Sequence, residues 1–279
     1  MESYSVLMSV YCKENPEYFK IAIDSMLAQS VKPADFVIVC DGELTKEINL
    51  VLSEFTNNYP DLFNIVRLKE NIGLGPALKV GLDNCKCEFV ARMDTDDISL
   101  PNRMEVQLQA IENHPEASVI GGQISEFLNN PDEIIDYRLV PLTFEEIYQR
   151  AKVRNPMNHV TVVYRKSHIQ AVGSYTDAPG FEDYRLWIAL MASGKKLVNI
   201  EDVCCNVRVG DGVYKRRGGI GYFKYTWNME KYLREKKMIS LWQFWKNTSV
   251  RFVGTVLCPN FVRKYFFKKL MRKSKADNK

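Results

Sequence analysis

The sequence predicts an α/β protein, with a mostly parallel central sheet flanked by helices and a helical C-terminal extension. Three observations predict it. Short apolar runs alternate with segments of helical spacing from about residue 4 to residue 93, the pattern of parallel strands joined by crossing helices. Polar, mostly acid-containing clusters stand where successive apolar runs stop, and the chain turns long-helical, basic and aromatic beyond Gly218-Gly219. At 279 residues, with 46% hydrophobic and 26% charged, the chain is long enough for one large domain plus an extension. The change of character divides it into residues 1–214 and residues 215–279.

Tyr4 to Tyr11 reads as a buried strand, and Pro16 to Leu27 carries Phe19, Ile21, Ile23, Met26 and Leu27 at helical spacing. The unit repeats. Phe36 to Cys40 reads as a strand, Thr45 to Phe55 as a helix, Phe63 to Leu68 as a strand, Gly75 to Asn84 as a helix and Glu88 to Met93 as a strand. After Pro101 a helix is predicted to about Asn113, then a short strand over Ser118 to Ile120, then a polar connection over residues 128–142. From Thr143 to Val209 helical and extended pieces alternate without a break that would start a new domain.

Three strand ends carry the residues that chemistry needs: Asp41-Gly42, Asn71-Ile72-Gly73 and Asp94-Thr95-Asp96-Asp97. In a parallel sheet these ends share one edge, where ligands bind. Three carboxylates within four residues repel one another unless a cation lies between them. Because every donor there is an oxygen, the cation is expected to be hard and divalent. Arg92 adds a charge that could face a phosphate.

The run Ala91-Arg92-Met93-Asp94-Thr95-Asp96-Asp97, followed by Pro101 and Arg103, resembles the D-x-D signature of family 2 glycosyltransferases of the GT-A fold. Asn71-x-Gly73 with Ala77 and Gly81 resembles the stretch that precedes it. Ser9-Val10-Tyr11 and Asp41-Gly42 resemble the strand ends that hold base and ribose, and Phe181-Glu182-Asp183-Tyr184-x-Leu186-Trp187 resembles the motif that supplies the base. The match runs in order from about residue 4 to about residue 209, with one departure: Cys40 stands before Asp41, where the family often has a second acid.

The resemblance implies an inverting transfer of a hexose from a UDP-sugar, UDP-glucose or UDP-galactose, with formation of a β-linkage. Asp41 would contact the uracil, Asp94 the ribose side, and Asp96 an Mg²⁺ or Mn²⁺ ion on the diphosphate. Asp97 would face the sugar or steady the loop. Asp183 would be the general base, with Glu182 as runner-up. His159 is a candidate third metal ligand, within Asn158-His159-Val160-Thr161 and ahead of Arg165. Arg208 and Arg216 are candidate diphosphate contacts. Family members of this type build bacterial O-antigen, capsule or exopolysaccharide units, so the acceptor is expected to be a lipid-linked or soluble saccharide.

Residues 215–279 hold 18 Lys and Arg against 3 Asp and Glu, a net charge of +15, whereas the rest of the chain, with 20 against 31, carries −11. Eleven aromatic residues from Tyr225 to Phe267 share that basic segment. Lys246, Arg251, Arg263 and Lys264 interrupt any apolar run long enough to span a bilayer. A helix lying on an anionic membrane surface fits this pattern, and so do C-terminal helices packed on the catalytic body with a solvated basic face. Nucleic acid is not an expected partner, because no binding module accompanies the charge. Seven cysteines without C-x-x-C spacing and an N-terminus without a signal-peptide pattern suit reduced thiols and a cytoplasmic protein, peripheral at the inner face of the plasma membrane.

Three rival readings remain. A class II terpene cyclase uses an acidic tetrad but is α-helical. A nucleotidyltransferase would carry a Gly-rich basic signature, which Ser9-Val10-Tyr11-Cys12-Lys13-Glu14 is not. An inactive transferase-like assembly partner has no need of intact acids at both motifs.

Overall fold

A computed structural model describes residues 2–210 and 219–257. The described residues form a nine-stranded sheet in the order β3-β2-β1-β4-β8-β6-β9-β5, with β7 paired to β6. Strands β1 (Tyr4–Val10), β2 (Asp35–Cys40), β3 (Phe63–Arg67) and β4 (Phe89–Arg92) are parallel. They alternate with helices α1 (Pro16–Leu27), α2 (Lys46–Asn58) and α3 (Leu74–Asn84). Beyond β4 come β5 (Ile98–Ser99), α4 (Arg103–Asn113), β6 (Ala117–Phe127), β7 (Ile134–Arg138), α5 (Phe144–Ala151), β8 (Val163–Arg165), α6 (Lys166–Ala171), α7 (Glu182–Ala192) and β9 (Lys196–Arg208). Two further helices, α8 (Gly219–Glu235) and α9 (Leu241–Phe252), follow.

The period-2 alternation of the strands splits the core into two layers. Tyr4, Val6, Met8 and Val10 of β1 pack with Phe19 and Ile23 of α1, Ile48 of α2 and Met104 of α4. Leu7, between them in sequence, packs on the other side with Ala77 and Leu78 of α3 and Trp187 of α7. Met229 and Leu233 of α8, Met238 and Ile239 of the turn, and Phe244 of α9 belong to that same layer, so the two last helices share the body's core. The predicted boundary at 214/215 lies outside the described residues.

Two sequence expectations are corrected. The strand expected over Ser118 to Ile120 is the 11-residue β6, which continues through Gly121-Gly122. A Cβ on Gly121 would stand 2.1 Å from Asn199 Oδ1, and one on Gly122 2.3 Å from Cys204 Sγ. They are small because β9 crowds against them. The polar connection expected over 128–142 contains β7, whose pairing with β6 gives Ile134–Arg138 a partner that local composition does not reveal. Among the described residues the cysteines are free, with Cys40, Cys85, Cys204 and Cys205 buried.

Candidate active site

Parallel pairing of β1 through β4 puts their carboxyl ends on one edge. At the end of β2, Asp41 accepts hydrogen bonds from the N–H groups of Ile72 (2.7 Å) and Gly73 (3.1 Å), while Asn71 Nδ2 donates to the Asp41 carbonyl at 3.3 Å. Asp41 therefore fastens the β3–α3 loop to β2. Gly42 makes this closure possible: its φ is +89°, and a Cβ there would lie 2.8 Å from Asn71 N. Any contact to a base must share a carboxylate already engaged by two backbone donors.

The Asn-x-Gly stretch is mainly a packing device. Ala77 is fully buried in the core, and Gly81 lets α3 lie on the sheet, since a Cβ there would meet Leu7 Cδ1 at 2.4 Å and Val39 Cγ2 at 2.6 Å. This corrects Ala77 as a cofactor-binding residue, because a buried methyl facing the core reaches no ligand. Val10 is likewise buried, whereas Ser9 and Tyr11 are partly exposed at the rim.

At the end of β4, Arg92 is buried and forms a bidentate ion pair with Asp94, which stays partly exposed. Burial opposes the Arg92 charge, but Asp94 outweighs it and holds the guanidinium's pKa above its usual value. The fork predicted to face a phosphate is thus occupied by Asp94 in this state. Beneath it the wholly buried Arg103 donates to the Arg92 carbonyl at 2.9 Å and to Gln107 Oε1 at 2.9 Å, fixing the strand end from below. Thr95 is buried. Asp97 is also buried and accepts the Arg208 N–H at 2.8 Å, a tie between β9 and the tetrad that fits the loop-steadying role.

Burial and the neighbouring Asp94 charge push Asp96 above the usual carboxylate range; burial, Asp94 and Asp96 push Asp97 further. A cation among these oxygens would relieve that repulsion. Among the described residues no three His, Cys, Asp or Glu side chains gather as a metal cage. Asp96 and Asp94 still fit a hard ion held by one or two carboxylates, with phosphate oxygens and water completing the shell. His159, the candidate third ligand, has one ring nitrogen engaged elsewhere. Its Nε2 shares a 2.9 Å hydrogen bond with the Tyr175 hydroxyl, and its ring packs against Tyr175 and Trp187. Burial and the Arg92 charge hold its pKa well below the ordinary value.

The second set of acids opens α7. Asp183 Oδ2 accepts from the side-chain amide of Asn155, and Oδ1 from the Tyr184 N–H at 2.7 Å. Burial nevertheless raises the Asp183 pKa, opposed by those bonds and by the charges of Arg138 and Arg92. Glu182 is also raised by burial, and its Oε1 accepts from the Gly180 N–H at 3.0 Å. Arg92 acts electrostatically on Asp96, His159, Glu182 and Asp183 alike, and Tyr175 feels both Asp94 and Asp183. The charge of Arg92 thus reaches both the β4 acids and the α7 acids, about ninety residues apart in the chain.

Other predicted residues have structural duties. The Arg208 guanidinium sits 3.7 Å from the Tyr18 ring centre and 4.6 Å from that of Phe127, with Nε donating to the Asp96 carbonyl at 3.4 Å. It clasps α1, β6 and the tetrad together. Asn158 Nδ2 bonds the Gly122 carbonyl at 2.9 Å, and the buried Thr161 hydroxyl bonds the Asn158 carbonyl at 2.8 Å. Arg165 Nε donates to the Ala117 carbonyl at 3.2 Å. Arg216 lies outside the described residues. Sequence reasoning missed Asn155, Tyr175 and Arg138. Asn155 and Tyr175 stand in irregular segments, and Arg138 on an unpredicted strand, so no periodicity marked them.

Comparison with known proteins gives this arrangement its setting. Residues 5–173 match the family model described as glycosyl transferase family 2. The amylovoran biosynthesis glycosyltransferase AmsE of Erwinia amylovora is 38% identical over 79% of this chain and 82% of its own. An Escherichia coli UDP-Gal:alpha-D-GlcNAc-diphosphoundecaprenol beta-1,3-galactosyltransferase is 32% identical over 97% of both chains. Among solved structures, Staphylococcus aureus TarS 1–349 in complex with UDP-GlcNAc superimposes with a TM-score of 0.67 at 15% identity, covering 96% of this chain and 76% of that one.

Proposed function

This chain belongs to glycosyl transferase family 2 and has the GT-A fold, and from that premise we propose that it moves a hexose from a UDP-sugar to a saccharide acceptor with inversion at the anomeric carbon. One observation supports the reading: the buried Arg92 pairs with Asp94 at the end of β4, and its charge also acts on Asp96 and on Asp183 at the start of α7. Two acid groups with separate surroundings suit two tasks, a nucleotide-diphosphate side and a proton-accepting side.

In this reading the donor lies along the carboxyl edge, its nucleoside toward Ser9, Tyr11 and the Asp41–Gly73 clamp. Asp96 and Asp94 would hold Mg²⁺ or Mn²⁺, which supplies neutralisation of the charge that develops on the departing diphosphate. Asp183 takes the proton from the acceptor hydroxyl as that oxygen attacks the anomeric carbon from the face opposite the diphosphate. Burial favours this role, since a raised pKa makes a stronger base. Asn155 and the Tyr184 N–H orient its carboxylate. An α-linked donor then yields a β-linkage.

The relatives act in surface-polysaccharide synthesis by their names, and one uses a diphospholipid-linked acceptor. A lipid-linked saccharide is therefore the proposed acceptor here, with UDP-galactose or UDP-glucose as donor. No helix among the described residues is long and apolar enough to cross a membrane. One face of α9 packs on the body through Phe244, while Leu241, Trp242, Trp245 and Val250 are exposed, Trp242 by 71%. Exposed aromatics beside lysines suit peripheral contact with the cytoplasmic leaflet. The deciding experiment measures UDP release from UDP-galactose and UDP-glucose with a GlcNAc-diphosphate-lipid acceptor, with and without Mn²⁺. Absence of any acceptor-dependent release from either donor overturns the reading.

A further inference from the structure

A group of arginines stands beside the base, and the reaction as described gives them no task. Arg150 stands in the last turn of α5, and Arg154 lies one turn on, its N–H bonded to the Arg150 carbonyl at 2.9 Å. Both line a surface pocket with Pro141, Gln149 and Val153. Arg138 closes β7 and acts electrostatically on both Arg154 and Asp183. Arg154 precedes Asn155, the residue that holds Asp183.

Arg251 shows the contrast with Arg150 and Arg154. Arg251 of α9 donates to the Val153 carbonyl at 2.6 Å, and its charge is matched by the buried Glu230 at 2.7 Å. Arg150 and Arg154 have no ion pair among the described residues, and Arg150 Nε is buried without a hydrogen-bond partner. The acids of this pocket do not answer them: Glu145 is exposed at the rim and Glu146 is tied to Thr143 in the α5 capping box. Burial and the charges of Arg150, Arg138 and Arg251 push Arg154 down to about 10. Holding like charges half-buried together costs stability that an arriving anion returns.

We propose that Arg150 and Arg154, supported by Arg138, bind a phosphate or diphosphate ester carried by the acceptor, so that the hydroxyl of the adjoining sugar reaches Asp183. Guanidinium forks match phosphate oxygens in pairs, and two positive charges suit a diphosphate better than a single carboxylate. This site rests on the transferase reading and adds to it the group by which the acceptor is recognised.

The test compares wild type with Arg150→Gln/Arg154→Gln and with Arg154→Lys. Probes are a short-chain alkyl diphospho-N-acetylglucosamine, the same sugar as its alkyl glycoside, and phosphatidylglycerol vesicles. Calorimetric titration of the diphosphate ester and of UDP accompanies the kinetics. Wild type is expected to show a KM for the diphosphate ester roughly tenfold or more below that for the glycoside. The double variant should erase that preference and lose calorimetric binding of the ester, with the UDP Kd and melting temperature retained, and the lysine variant should recover part of the preference.

Equal KM values for the two acceptors in wild type, or an unchanged preference in the double variant, overturn the proposal. So does loss of vesicle binding with the ester preference intact, which would make the arginines a lipid-headgroup contact. If the variant unfolds, Arg154→Lys with inorganic pyrophosphate as competitor decides: pyrophosphate must inhibit the wild type more strongly than this variant. Failure of the wild type to turn over any UDP-sugar defeats the transferase reading, while binding of the ester by calorimetry still decides this one.

Discussion

The side-chain amide of Asn155 donates a hydrogen bond to Asp183 Oδ2, joining an irregular loop to the first turn of α7. That bond lowers the Asp183 pKa against the burial that raises it. A base works only when ionised, so activity is present above the Asp183 pKa and lost as pH falls through it. Asn155→Ala removes one stabilising donor, and the acid limb of the kcat profile is expected to move to higher pH. A profile measured from pH 5 to 9 in both proteins checks it; an unmoved limb takes Asn155 out of this role.

Asp183→Asn keeps the shape and removes the proton acceptor. Transfer is expected to fall by about 10² to 10⁴, the usual share of a general base. UDP binding, measured by calorimetry, should stay near the wild-type value. Loss of UDP binding instead would place Asp183 on the donor side.

Asp96→Asn and excess EDTA should act alike. Removing a cation that neutralises a leaving diphosphate takes away several kcal/mol, about a hundredfold or more in rate. Turnover that survives EDTA would refute the metal role of Asp96 and Asp94. Restoration of EDTA-treated protein by Mn²⁺ or Mg²⁺ gives the preferred ion.

Gly75 stands where α3 meets the loop before α7, and a Cβ there would lie 2.3 Å from the Thr176 carbonyl oxygen and 3.0 Å from Glu182 Cγ. Backbone cannot step aside as a side chain does. Gly75→Ala is expected to cost about 1–3 kcal/mol and to lower kcat by shifting the α7 acids. Chemical denaturation and steady-state kinetics read the two effects, and a variant unchanged in both would show that the contact is slack.

Trp242 and Trp245 are exposed on α9 while Phe244 between them is buried. Trp242→Ala/Trp245→Ala is expected to weaken binding to anionic vesicles without lowering the melting temperature. Cosedimentation with phosphatidylglycerol vesicles at low and high salt measures it. Unchanged partitioning would leave α9 as a packing element alone.

Much of the first half was legible because each signal there is local. Asn15 and Thr45 cap α1 and α2 through bonds to N–H groups two or three residues on, and β1 and β2 are apolar on both faces because helices cover both. The acidic tetrad was legible as a strand end for the same reason. The later strands were not: β6 runs through two glycines whose cause is Asn199 and Cys204 on another strand, and β7 is made by its partner. The hydrogen bond between His159 and Tyr175 was not legible either, because its partners stand 16 residues apart.

By itself the sequence determined the strand–helix alternation of the first half, the parallel edge and the acids that stand on it, since periodicity and strand ends are properties of neighbouring residues. It also carried the family's motifs in their order. Only the tertiary structure decided which charged groups are free to act. Arg92 is taken by Asp94, Arg208 by Tyr18 and Phe127, and Arg251 by Glu230, whereas Arg150 and Arg154 lack an ion-pair partner among the described residues. Whether a charge is spent depends on burial and on partners as far away in sequence as Tyr18 is from Arg208, and that information exists only once the chain has closed on itself.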